Sequence, residues 1–195
     1  MVAAANVASK RAPCYHAVMT TQLLRAARLL LPLVCAASLA GCSPKYNWRD
    51  YGSPDATFRA MFPSKPSTFT KDIDLDGMKV AMTMTAAEVD GATFAIGTAQ
   101  APDAARAQAA LEAMRIALVR NISGRVRRQK EPAVAGDGSV ISDIEADGNA
   151  NGVPMRLAGH FVARNNRFYQ VIVIGKTSDM PAEQVEQFLT SFHPL

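Results

Sequence analysis

After about residue 57, the chain alternates between apolar and polar residues in short segments that are separated by turn dipeptides. Val80, Met82 and Met84 would share one face of an extended strand, while Lys79 and Thr83 would share the other. The dipeptides that we interpret as turns are Asp76-Gly77, Asp90-Gly91, Asp137-Gly138, Asp147-Gly148, Asn151-Gly152 and Asn165-Asn166. The segment from Phe168 to Ile174 is apolar on both faces near its end, which predicts a central strand.

Two helices interrupt the strands. Asp103 is a suitable N-cap for the first, and Gly124 is a plausible residue just beyond its end. Its apolar positions recur at helical spacing: Ala107, Leu111, Met114, Leu118 and Ile122. The second helix starts near Asp179, has Pro181 in its first turn, and carries the stripe Val185, Phe188, Leu189 and Phe192.

The order of elements is therefore three strands, a helix, about four strands and a second helix. Regular βαβα alternation is lacking, so we predict an α+β domain over 57–195. Its sheet would be mostly antiparallel, with about six to eight strands and both helices packed on one face. Residues 42–56 would form a lipidated N-terminus and tether; in the alternative, Trp48 packs against the domain as part of a first strand.

Three segments of this domain carry a family resemblance. They are Phe58-Arg-Ala-Met-Phe62-Pro63-Ser-Lys65-Pro66, then Phe168-Tyr169-Gln-Val171-Ile-Val173, and finally Phe188-Leu189-Thr-Ser191-Phe192. In outline the chain resembles small proteobacterial envelope lipoproteins related to the PsbP-like fold. The resemblance implies an accessory or binding role, and no catalytic set comes with it.

The N-terminal segment has the anatomy of a signal peptide over residues 1–41. Residues 29–41 read LLLPLVCAASLAG, follow Arg25 and Arg28, and end in small residues. This apolar stretch is too short for a permanent transmembrane helix. Initiation at Met19 would give a leader within the usual length of roughly 15–30 residues, so we predict that Met19 is the true start.

A more specific motif closes this leader: Leu39-Ala40-Gly41-Cys42 resembles the lipobox of bacterial lipoprotein precursors. The resemblance implies cleavage between Gly41 and Cys42 and lipidation of Cys42, with the membrane as a partner through that anchor. Ser43, rather than an aspartate, follows the anchor, which resembles the sorting signal for the outer membrane. We therefore expect a protein of the cell envelope, anchored in the outer membrane and facing the periplasm.

Charge and cysteine content agree with this interpretation. The formal net charge of +4 is matched by four basic residues within 1–41, a segment that has no acidic residue, so the mature chain is formally neutral. A neutral exported protein is a poor candidate for binding nucleic acid. Cys14 and Cys35 fall in the leader and Cys42 is consumed by lipid, so we expect no disulfide, thiol nucleophile or cysteine metal site in the mature protein.

Two acidic series resemble calcium loops without completing one. Asp72, Asp74, Asp76 and Gly77 match the opening of an EF-hand loop, but Thr83 stands where the bidentate glutamate should be. The second series is Asp143, Glu145, Asp147 and Gly148, with Pro154 at that position. In strands these carboxylates would simply face solvent, so we predict no metal site.

The one basic cluster of the mature chain comprises Arg125, Arg127, Arg128 and Lys130. Regular strand geometry puts Arg125 and Arg127 on one face, with Arg128 and Lys130 on the other. Charges that ring a strand are typical of an exposed edge protected against aggregation. Contact with anionic headgroups or an acidic partner is the alternative.

Hydrolytic motifs are absent from the sequence, and only His160 and His193 remain after processing. We therefore predict no catalytic residue and no cofactor, and interpret His160 as a structural residue. The leading hypothesis is a non-enzymatic, lipid-anchored periplasmic module that binds an envelope protein or lipid. The alternatives are an envelope hydrolase with a dispersed site around His160, and a carrier of lipid or hydrophobic ligand with a groove bordered by methionines.

Overall fold

The computed structural model of the protein describes residues 44–55 and 57–195. The predicted start at Met19, the cleavage between Gly41 and Cys42, and the lipidation of Cys42 all lie outside the described residues. Residues 44–195 form one compact unit.

The described elements follow the chain in this order. The strands before the first helix are β1 (Arg49–Gly52), β2 (Phe58–Phe62), β3 (Ser67–Leu75), β4 (Met78–Val89) and β5 (Ala92–Gln100). After helix α1 (Ala104–Asn121) come β6 (Arg125–Val134), β7 (Val140–Ala150), β8 (Val153–Arg164) and β9 (Arg167–Lys176). A 3₁₀ turn (Thr177–Asp179), helix α2 (Ala182–Thr190) and β10 (His193–Pro194) close the chain. Five strands, rather than the three we predicted, therefore precede the first helix.

Seven strands form one sheet in the order β3-β4-β5-β9-β8-β7-β6, and every neighbouring pair is antiparallel. A smaller sheet has the order β1-β2-β10. The predicted α+β class with a mostly antiparallel sheet is thus confirmed. Strand β9 lies between β5 and β8, which confirms the central position predicted from its apolar faces.

The two helices lie on opposite faces of the seven-stranded sheet, so their predicted placement on one face is wrong. On β9, Phe168 and Ile172 belong to the core that includes α1, whereas Tyr169 and Val171 belong to the core that includes Phe188 of α2. Because successive side chains of a strand point to opposite faces, the two cores lie on either side of the sheet. A strand that is apolar on both faces, such as β9, needs other elements packed against both faces of the sheet.

Most of the predicted turns are confirmed by residues in the left-handed region, among them Asp76, Asp90, Asn151 and Asn165. Asp147-Gly148 is the exception, because it lies inside β7 rather than in a turn. Gly148 is required there by close approach: a Cβ on it would lie 2.9 Å from the Cα of Gly124 and closer still to the carbonyl oxygen of Ile122.

Both helices begin close to their predicted positions. Asp103 caps α1, since its Oδ1 accepts a hydrogen bond from the backbone N–H of Arg106 at 2.8 Å. At the far end, Ser123 rather than Gly124 has the left-handed conformation. The residues from Thr177 to Asp179, where we predicted the start of the second helix, form a separate 3₁₀ turn. Pro181 is the N-cap of α2 and so precedes its first turn.

The segment around Trp48 packs against the domain, as in the second of the two alternatives for residues 42–56. Arg49–Gly52 pairs with β2. Trp48 donates a hydrogen bond from Nε1 to Oε1 of Gln184 at 3.0 Å and meets the ring of Phe94 edge-on at 6.2 Å. The aromatic residues from Tyr46 to Tyr51 therefore belong to the core on the α2 side rather than to a free tether.

Candidate functional site

A ladder of charged residues crosses β6, β7 and β8 on the α2 side of the sheet. Its acidic members are Asp143, Glu145 and Asp147 of β7, its cationic members are Arg127, Arg128, Lys130 and Arg156, and His160 completes it. The carboxylates project away from the α1-side core while Ile144 and Ala146 project into it, as predicted for a strand. We refer to this set as the charged ladder.

A β-bulge arranges the cations of the ladder differently from the predicted alternation. The register shifts between Val126 and Arg128, so Arg127 is the extra residue. Arg125, Arg128 and Lys130 consequently lie opposite Asp147, Glu145 and Asp143. The prediction that charges ring the strand is therefore wrong, although β6 is an exposed edge strand as expected.

The ladder is largely neutralised by its own ion pairs. Glu145 accepts from Arg127 and Arg128, each at 3.0 Å, and Oδ2 of Asp143 lies 3.1 Å from Nζ of Lys130. Arg156 pairs with Asp147 at 3.1 Å. Exposed pairs of this kind contribute little stability each, about 0–1 kcal/mol. Their arrangement leaves few free cations to attract an anionic surface.

One contact of this ladder joins a histidine to a carboxylate, His160 to Asp143. Nδ1 of His160 lies 2.6 Å from Oδ1 of Asp143, and both side chains are partly buried. The hydrogen bond with His160 lowers the pKa of Asp143, against the opposing effect of burial. The imidazole ring meets Phe192 at 6.2 Å between centroids. A carboxylate that orients a histidine is one part of a hydrolytic site, but no serine is among the hydrogen-bond partners of this pair within the described residues.

A groove on the other face of the sheet is a second candidate site. It has a volume of about 860 Å³ and lies between α1 and the hairpin that joins β3 to β4. Its apolar residues are Leu75, Met78, Ala109, Ala110, Ala113, Ile116 and Ala117, and its charged residues are Asp74, Asp76, Arg106, Glu112 and Arg120. We call it the α1 groove. Ile116 is half exposed here, at 50%.

The lining of the α1 groove combines apolar residues with charges of both signs. Its apolar residues come from alanines one helical turn apart and from the base of the hairpin, and its charges of both signs lie toward solvent. Neither this groove nor a smaller one of about 450 Å³ on the hairpin contains His160. His160, which the hydrolase alternative would need in a concave site, is therefore not brought into either groove.

The first acidic series lies on the hairpin as predicted. Asp72 and Asp74 are in β3 opposite Ala81 and Lys79, and Oδ1 of Asp74 accepts from the backbone N–H of Gly77 at 2.6 Å. This bond stabilises the turn. Across residues 44–55 and 57–195, no group of three or more histidine, cysteine, aspartate or glutamate side chains is arranged to hold a metal ion.

The methionines mostly fill the core on the α1 side. Met82 and Met114 are buried, and Met84 and Met155 pack against the same core. Met78 alone of these lines the α1 groove. The sequence analysis missed this groove, although the spacing of Ala109, Ala113 and Ala117 marks a helix face with small side chains that is visible in the sequence.

Comparisons with known proteins assign the chain to no family. No protein-family model matches the chain, and no curated protein matches it in sequence. A solved structure from Bacteroides thetaiotaomicron VPI-5482 has a TM-score of 0.44 and 14% identity over 75% of this chain, which spans 48% of that protein. The Pseudomonas aeruginosa protein PA94, of unknown function, has a TM-score of 0.37 and 11% identity over 70% of this chain and 88% of its own. Among the described helices, none combines the length and hydropathy needed to cross a membrane.

Proposed function

We propose that the protein is a lipid-anchored, non-enzymatic binding module of the bacterial cell envelope that holds a partner in its α1 groove. The anchor would be Cys42 at the end of the lipobox-like motif, on the periplasmic face of the outer membrane. The observation that supports the proposal best is an open groove of about 860 Å³ with an apolar floor and no paired histidine and carboxylate. Attachment to a membrane would raise the effective concentration of the domain toward neighbouring partners without new contacts.

The groove fits an apolar segment of another envelope protein better than a small polar ligand. Its lining includes Ile116, Met78 and Leu75, whose burial by a partner would remove apolar surface from water. Arg106 and Arg120 lie near the two ends of α1, whose 18 residues span about 27 Å. The two arginines are 14 residues apart, about 21 Å along the helix, so a partner segment of that shorter length would meet a cation at either end, while Asp74 and Asp76 line the groove from the hairpin.

Site-specific photocrosslinking in intact cells tests the groove. A photoreactive residue at Ile116 should capture a recurrent protein partner, whereas the same residue at Val134, which is 74% exposed and outside the groove, should not. Ile116→Asp in a chain with the probe at Ala113 should abolish the adduct. Equal capture from positions 116 and 134, or none from 116, would contradict the binding role of the groove.

The anchor is tested separately by Cys42→Ser in the full chain. Loss of the acylated thiol should shift the protein from the detergent phase to the aqueous phase, because single chains bind membranes only marginally and stable anchoring needs at least two. Cys35→Ala is the matched control, since Cys35 lies within the apolar stretch of the leader but not in the lipobox-like motif. Unchanged partitioning of the Cys42→Ser protein would refute the anchor while leaving the groove untested by that result.

A hydrolase remains the second candidate, supported by the 2.6 Å contact between His160 and Asp143. It predicts that His160→Gln abolishes an esterase or amidase activity that the unaltered protein has. The carrier of lipid or hydrophobic ligand is less well supported, because the methionines mainly fill the core and the α1 groove is open along its length.

A further inference from the structure

The two edges of the seven-stranded sheet differ in how they are protected from further strand pairing. The β6 edge carries two register shifts, Pro132 and a row of cations, all of which oppose addition of another strand. The β3 edge pairs with β4 in continuous register from Ser67 to Leu75 and contains no proline. Phe69 in this edge is 54% exposed. The charged residues of this edge, Lys71, Asp72 and Asp74, are of mixed sign and no bulge interrupts the strand, so the β3 edge is a more regular template for another strand than the β6 edge.

The turn that follows β3 fixes which of its backbone groups face outward. Asp76 and Gly77 both have positive φ values, 53° and 84°, and form a two-residue hairpin loop. Such a loop closes on a hydrogen-bonded pair, here Leu75 and Met78, and hydrogen-bonded pairs then alternate along the ladder. The odd-numbered residues of β3 thus bond to β4. The even-numbered residues Thr68, Thr70 and Asp72 direct their backbone N–H and C=O groups outward.

We propose that β3 pairs antiparallel with β3 of a second copy of this chain, with Thr70 on the twofold axis. Three registers place side chains of the same sheet face next to each other and have the twofold axis near the middle of the strand, at Thr70, Lys71 or Asp72. Centring on Lys71 would bring two lysines together, and centring on Asp72 would bring two aspartates together, both of which are unfavourable. Centring on Thr70 pairs no like charges, and all its hydrogen-bonded positions are even-numbered residues on both strands.

Side-chain complementarity favours the same register. Phe69 would lie opposite Lys71 of the second copy, where the ammonium group can approach the ring, and diagonal to the second Phe69. Thr68 would lie opposite Asp72, whose carboxylate can accept from the hydroxyl. Thr70 is already within 2.9 Å of Thr83 across the β3–β4 pair, so the two Thr70 residues would extend a row of hydroxyls across the junction. The exposed ring of Phe69 would be covered by this pairing.

Disulfide crosslinking of the purified full chain tests the register. In Thr70→Cys, the two introduced cysteines would have Cα atoms about 5.5 Å apart, within the range that a disulfide spans. The matched variants Thr68→Cys and Asp72→Cys are exposed positions on the same strand face. In each of these variants alone the introduced thiols would be about 14 Å apart, four residues along the strand.

Under mild oxidation, Thr70→Cys should form a covalent dimer at least about tenfold faster than Thr68→Cys or Asp72→Cys alone. An equimolar mixture of Thr68→Cys and Asp72→Cys should form heterodimers, because those positions are opposite each other. The unaltered chain, with Cys14, Cys35 and Cys42, sets the background. Crosslinking that is equal at all three positions, or absent from Thr70→Cys, would overturn the proposal.

A second measurement uses the protein without introduced cysteines. Thr70→Pro removes an outward N–H that β4 does not use, so the fold should be retained while strand addition is blocked. Thr70→Val is the matched control that keeps the N–H. Sedimentation should show a concentration-dependent dimer for the unaltered chain and Thr70→Val, and a dimer weakened at least about tenfold for Thr70→Pro. A chain that is monomeric throughout the micromolar range, or a dimer unaffected by Thr70→Pro, would refute pairing through β3.

Discussion

Gly148→Ala probes the close contact between β7 and the end of α1. The added methyl group would lie 2.9 Å from Gly124 Cα and 2.9 Å from Ile122 Cγ1, and nearer still to the Ile122 carbonyl oxygen. Ordinary van der Waals contact begins at about 3.4 Å. Two of these three neighbours are backbone atoms, so a rotamer change cannot relieve the overlap. The strand and the turn after α1 must move apart.

Two costs add up in this variant. Forcing an extra methyl group into a packed site costs about 1–3 kcal/mol. The movement also weakens the hydrogen bond that the N–H of Asn149 donates to the Ile122 carbonyl at 2.8 Å, worth about 1 kcal/mol. We therefore expect Gly148→Ala to lower the free energy of unfolding by about 2–4 kcal/mol. For a domain of this size, at about 2–4 °C per kcal/mol, the melting temperature should fall by roughly 4–16 °C.

Thermal unfolding of the full chain, followed by circular dichroism, measures this effect. Gly136→Ala is the matched control, because a Cβ there meets nothing within 4 Å and the residue has no positive φ. The control should stay within about 0.5 kcal/mol of the unaltered chain. If Gly148→Ala were as stable as Gly136→Ala, the close approach of β7 to the end of α1 would be refuted.

Three further variants test the α2 side of the sheet. Phe188→Ala should cost about 3–5 kcal/mol in urea denaturation, because its ring is fully buried against Phe62 and Phe94 at 5.3 and 5.4 Å. The pKa of Asp143 is lower in the folded than in the unfolded protein, so its pairing with His160 stabilises the fold above the unfolded-state pKa. This stabilisation is lost as the pH falls through the folded-state pKa. Asp143→Asn should therefore reduce the dependence of the free energy of unfolding on pH below about pH 4. Gln184→Ala should leave Trp48 packed but change its fluorescence spectrum, since it removes the acceptor of the indole N–H; an unchanged spectrum would contradict that hydrogen bond.

Local periodicity was sufficient to predict most of the strands and both helices. The turn dipeptides and the apolar spacing of α1 are properties of a few neighbouring residues, and a residue such as Asn165 adopts its conformation for local reasons. The β1 strand was harder to predict, because Arg49–Gly52 has no alternating pattern. It forms because the neighbouring Trp48 packs against Phe94, far away in the sequence.

The failures have a common physical origin in contacts between distant residues. Gly148 looks like a turn residue, yet its lack of a side chain serves the approach of Ile122. Arg127 follows the period of its strand in sequence, yet a bulge takes it out of the alternation. Neither outcome follows from residues within a few positions of the site, since each depends on which element packs alongside.

The α1 groove and the exposed ring of Phe69 on the β3 edge both lie on the face of the sheet that α1 covers. Seven strands at about 4.8 Å spacing are roughly 29 Å wide, whereas one helix with its side chains is only about 10–12 Å across. One face of the sheet is covered by α2, the small sheet and the segment around Trp48. On the other face, α1 is the one helix that covers the sheet within the described residues. Ile73, Leu75 and Met78, at the β3 and β4 end of that face, are consequently only partly buried. Apolar surface left in this state would be stabilised by a further protein element, so the proposed partner in the groove and the proposed second copy at the edge would both add the cover that one helix does not supply.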